Sequence, residues 1–131
     1  MVETVEHADR VRAIIIRHNM SAPGIHFFTP PSFSQQLAYM SHPAGHTIDA
    51  HYHKKIERQV FYTQEVLFIR TGKLRVDFYD DENTRIDSRE LLAGDVIMLV
   101  SGGHGFEILD DTEMIEVKQG PYLGDNDKIR F

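Results

Sequence analysis

Gly45-His46-Thr47-Ile48-Asp49-Ala50-His51-Tyr52-His53 and, further along, Glu65-Val66-Leu67-Phe68-Ile69-Arg70-Thr71-Gly72 bound the stretch on which the reading of this chain turns. Side chains on a β-strand alternate faces with a period of two, so His51 and His53, if on a strand, point the same way and address one ion. Glu65 opens a β-branched and aromatic run that ends at a turn-forming glycine, which places a carboxylate at the start of a neighbouring strand. Two imidazoles and a carboxylate make a mixed nitrogen and oxygen donor set. Such a set suits divalent first-row metals better than calcium or a thiolate-held zinc.

Outward from this stretch the chain reads as short strands and turns. Before it, Val11 to Arg17 has a β-branched centre, Ile25 to Phe28 is stopped by Pro30-Pro31, and Leu37 to Met40 leads into the turn Ser41 to Gly45. Residues 1–10 fit a helical turn or a peripheral strand equally well. After it, Leu74, Val76 and Phe78 alternate with Arg75, Asp77 and Tyr79, the pattern of a half-buried strand. Asp80 to Asn83 makes a turn; it lacks the glycine and closing glutamate of a calcium loop. Val96 to Val100 is apolar throughout, as in a strand covered on both faces. A Ser101-Gly102-Gly103 turn precedes His104, which shares a face with Phe106 and Ile108. Asp110-Asp111 is expected to turn the chain once more before a last strand, Met114 to Val117, and the tail from Gly120 reads as loop, with Ile129 and Phe131 placed to pin it. With no long helical period, the pattern predicts an all-β barrel or jelly roll.

Composition bounds the function. The 131 residues are most simply one domain, with enough chain to bury a core without staples. There is no cysteine, hence no disulfide framework and no thiolate site. A formal charge of −6 and the lack of a basic block argue against a nucleic-acid partner. The apolar runs are too short to span a bilayer, and Met1-Val2-Glu3-Thr4 is acidic rather than signal-like, so the expectation is a cytoplasmic protein with no membrane partner.

The spacing Gly45-x5-His51-x-His53, then Glu65-x6-Gly72, resembles the first sequence motif of the cupins, small β-barrels that hold a metal with three histidines and one glutamate. Gly94-Asp95, the apolar run after it, Gly102 and His104 resemble the second, so that the two motifs cover about residues 45–108. The chain departs from the family in three places. Eleven residues separate His53 from Glu65 where the family keeps the interval short, Val100 stands where a proline is usual, and His104 comes one residue early. The long interval leaves two candidates for the carboxylate. Glu57 fits the spacing from histidine, whereas Glu65 fits the spacing to glycine and opens a strand; Glu65 is favoured.

The resemblance implies a double-stranded β-helix, or jelly-roll cupin barrel, over residues 1–131, a tendency to form homodimers, and a divalent first-row transition metal (Fe, Mn, Ni or Zn) on His51, His53, Glu65 and His104. Cupins include dioxygenases, sugar isomerases and epimerases, decarboxylases, and modules that bind a sugar or metal without turnover, and fold alone does not choose among them. His53-Lys54-Lys55 resembles, over those residues only, a stretch of cupins that isomerise nucleotide-linked keto sugars. Two functions follow as expectations: an oxygenase or isomerase acting on a small oxygen-rich metabolite, or a non-catalytic binding module. No general base stands out. Tyr39, His46, Glu57, Arg58, Gln59 and Tyr62 are the candidate substrate contacts; His42 and His46 also read as solvated loop histidines. The segment Lys54 to Gln64 is expected to extend a hairpin between the ligand strands, rimming the barrel mouth or packing Val60 and Phe61 on a partner subunit.

Overall fold

The computed structural model describes residues 1–131. It is all-β, with 49% of residues in strands and no α-helix. The strands are β1 (Val2–His7), β2 (Arg10–Ile16), β3 (Gly24–Phe27), β4 (Ala38–Ser41), β5 (Glu65–Tyr79), β6 (Arg85–Leu92), β7 (Val96–Leu99) and β8 (Gly103–Lys118), followed by one 3₁₀ turn, Gly124–Asp127. They fall into two compact units, residues 21–62 and the remainder.

The larger unit is an antiparallel sheet in the order β1-β2-β7-β5-β6, with β8 paired to β5. The sheet is strongly curled into a half-barrel rather than the closed barrel anticipated. Inward-facing positions follow from the ladder: Ala13 pairs with Leu99, Ile15 with Ile97, Leu67 with Ile97, and Leu74 with Leu91. With Val5, Ile69, Val76 and Phe78 these side chains form the buried core. Leu74, Val76 and Phe78 are buried as the sequence predicts, although Asp77 on the alternate face is buried too; Ile97, Met98 and Leu99 are all buried, so β7 is covered on both faces. Residues 1–10, undecided in the sequence, form β1 on the edge of β2.

Two expected turns are instead the bend of one ribbon. Gly72 does not end a strand: β5 runs on for 15 residues, and β8 runs for 16 straight through Asp110-Asp111. The pairing shifts register at Ile69/Thr71, Thr71/Lys73 and Lys73/Leu74. These bulges change parity, so the core residues are Leu67 and Ile69 before the bend but Leu74, Val76 and Phe78 after it. Gly72 adopts φ +90°, and a Cβ there would lie 2.2 Å from the Asp111 carbonyl oxygen. Glycine is needed on both counts.

A buried carboxylate fastens the corner between β6 and β7. Asp95 is fully buried and accepts hydrogen bonds from the backbone amides of His18 (2.7 Å) and Leu92 (2.8 Å), and from Arg17 Nη1 (3.0 Å). Burial pushes its carboxyl up, but the Leu92 and His18 amides and Arg17 outweigh this and hold it below the usual range. Arg17 also pairs with Glu3 on β1, so the Asp95 cluster ties β1, β2 and β6 together.

The smaller unit holds the β3–β4 hairpin, in which Gly24 pairs with Ser41 and Phe27 with Ala38. Its connection is organised by Gln36, whose amide donates to the Pro30 and Phe33 carbonyls at 3.0 Å and accepts from Thr29 Oγ1 at 2.7 Å. Residues 42–62 carry no strand.

Candidate functional site

The folded β5–β8 ribbon creates the one meeting of predicted ligands from separate elements. Glu65 begins β5 and is paired with Leu99 and Lys118; His104 lies at the other end of β8, paired with Phe78. Because the ribbon bends at its bulges, the two face each other, His104 Nε2 lying 3.6 Å from Glu65 Oε2. Glu65 is the more buried, His104 about a third exposed. The His104 imidazole holds the Glu65 carboxyl below its ordinary range against the opposing effect of burial, and Lys118 and Glu116 act in the same direction as His104. A carboxylate beside an imidazole orients the ring. In this arrangement the pair can accept a proton, bind a polar ligand atom, or offer one nitrogen and one oxygen to a metal.

The neighbours on the same face confirm one expectation and alter another. His104, Phe106 and Ile108 stand opposite Phe78, Val76 and Leu74, so they do share the concave face. Phe106 and Ile108 are, however, exposed rather than buried. β8 is bordered only by β5, so nothing pairs beyond it to cover them.

Compared with known proteins, the chain matches no family model, no curated protein and no solved structure.

The His51 and His53 pair is arranged differently from expectation. His51 and His53 are not on a strand, and the strands beside Glu65 are β7 and β8. A strand exists only when a neighbour takes up its backbone hydrogen bonds, and residues 48–62 make none with other backbone groups. Their alternation therefore has no sheet to act on, and Lys54 to Gln64 is not a hairpin loop. Within the smaller unit the His51 and His53 rings lie edge to face with centroids 5.4 Å apart, and His51 Nδ1 contacts the Asp49 carbonyl at 2.7 Å. His42 and His46 stack at 4.2 Å. Tyr39 lies on β4 opposite His26; Glu57, Arg58, Gln59 and Tyr62 are exposed in the strandless segment.

Tested against the donor set that the resemblance implies, the chain brings together Glu65 and His104 and forms no cluster of three or more His, Asp or Glu side chains suited to a metal. The donors fit a first-row ion in type and fall short in number. Sequence reading missed Glu116 and Lys118, which act on Glu65; their parity with Met114 on a single strand was the available signal. It also missed Arg12, which is buried with Nε and Nη1 unpartnered.

Proposed function

We propose that this chain is a small cupin-like jelly-roll protein that binds a divalent first-row metal, with Glu65 and His104 as its anchoring donors. The single observation that supports this is their approach to 3.6 Å, which joins a residue of the first motif to one of the second. A bound ion of this class supplies open positions to hydroxyl, carboxylate or enediolate oxygens, so the ligand class is a small oxygen-rich metabolite. The protein's own contribution is to hold the two donors on the rigid concave face and to shield one side of the ligand with Phe106 and Ile108. On this reading the protein is a cytoplasmic homodimer.

A non-catalytic binding module is the second reading. It is favoured by the small donor set, since no group of three or more side chains suited to a metal forms.

Metal content of protein prepared without a histidine tag tests the first claim. Stoichiometric iron, manganese, nickel or zinc, lost in His104→Ala and in Glu65→Gln, is the expected result; no binding of any of the four ions by calorimetry overturns it. Oxygen uptake and conversion of sugars, acids and diketones by metal-loaded protein then separate the two readings, turnover favouring the enzyme.

A further inference from the structure

Two features account for surface that a lone copy leaves unused. The first is the segment 48–62, in which Tyr52, Phe61 and Tyr62 are 90%, 84% and 82% exposed. Its backbone groups pair with no others in the chain. Aromatic side chains left this bare on an unpaired backbone are the mark of a segment that completes its bonding elsewhere. The second is β8, a 16-residue strand with only β5 beside it, which also exposes Ile115 and Val117. A long edge with apolar side chains is a template for another strand.

Charge selects the occupant. The centre of β8 carries Asp110, Asp111 and Glu113, none of which is in an ion pair. In a chain of net charge −6, residues 54–58 are locally basic: Lys54, Lys55 and Arg58 against Glu57 alone. One chain therefore carries both complementary halves.

We propose that segment 48–62 of one copy docks along the β8 edge of a second copy, and that the exchange is reciprocal. Lys54, Lys55 and Arg58 face Asp110, Asp111 and Glu113 of the partner, and Phe61 and Tyr62 cover apolar side chains of the same edge. This inference specifies the surface of the homodimer in the functional reading above.

The test is a charge-reversal exchange read by sedimentation velocity. One variant carries Lys54→Glu, Lys55→Glu and Arg58→Glu; the other carries Asp110→Lys, Asp111→Lys and Glu113→Lys. The parent should be dimeric at micromolar concentration, and each variant alone should dissociate about tenfold more readily or further. Mixing the two should restore the dimer, because both contacts are then complementary. A parent that stays monomeric overturns both the dimer and its surface. A dimer indifferent to both reversals keeps the homodimer and overturns this surface, as does a mixture that fails to recover. Hydrogen exchange of the parent needs no variant: amides of β8 and of residues 48–62 should gain protection together as concentration rises, and their failure to do so rejects the exchange.

Discussion

Glu65 and His104 lie at opposite ends of the β5–β8 ribbon, yet their side chains stand 3.6 Å apart. The ribbon is bent at the bulges around Gly72, and the pair sits where its two arms converge. The contact couples a local backbone irregularity to the candidate site.

The charge on Glu65 should be visible in acid. His104 lowers the folded-state Glu65 carboxyl below its ordinary value of 4.5, so the stability it contributes is present above that value and is lost as pH falls through the lowered one. Glu65→Gln removes this contribution. Its melting temperature should fall less steeply than the parent's below about pH 4.5, and superimposable slopes would show that the pair carries no stabilising charge.

Gly72→Ala should be among the most damaging small changes in the chain. The added methyl meets the Asp111 carbonyl oxygen at 2.2 Å and Thr112 Cα at 2.7 Å, in a backbone conformation that costs L-residues further energy. A loss of about 3 kcal/mol or more is expected by urea denaturation. A change below about 0.5 kcal/mol, the range of neutral surface substitutions, would mean that the bend relaxes freely.

Asp95→Asn keeps the shape of the side chain but turns an amide donor toward donors. Arg17 loses a charged partner, and one of the His18 and Leu92 amides loses its acceptor. Removing one partner of a buried, hydrogen-bonded charge costs about 3 kcal/mol. Chemical denaturation at neutral pH gives the value, and an unchanged midpoint would remove Asp95 from its place as the fastening of the corner.

Arg12→Met should act in the opposite direction. The Arg12 guanidinium is buried, has no ion pair, and makes only a long contact of 3.4 Å from Nη2 to the His7 carbonyl. Exchanging a poorly compensated buried charge for an apolar chain of similar length should raise stability by about 1 kcal/mol. Destabilisation instead would point to an ordered partner for the two free nitrogens.

Metal should protect the fold by mass action. At a hundredfold excess over its dissociation constant an ion held only by the native state adds about 2.7 kcal/mol, a melting shift on the order of 10 °C for a domain of this size. Glu65→Gln and His104→Ala should each abolish most of the shift, as measured by differential scanning fluorimetry with Zn, Mn, Ni and Fe. A shift that survives in both variants would move the ion away from this pair.

Side-chain period alone was enough to identify the all-β class and most strands, because burial on one face of a sheet writes itself into alternation, as at Leu74, Val76 and Phe78. Glu65 and His104 were legible as candidates for the same reason, each sitting at the end of an apolar-patterned strand. Their meeting was expected only from the resemblance, and the way the chain achieves it was not legible. It depends on bulges that change parity within β5, and a bulge is a relation between two strands, invisible in either one. The same limit explains His51 and His53: alternation in His51-Tyr52-His53 prescribes which way side chains would point from a strand, but only a paired neighbour makes a strand, and this segment has none within the chain. Tertiary structure decided both matters, since backbone hydrogen bonds between distant residues set register, bend and pairing, and no single stretch of sequence contains both partners.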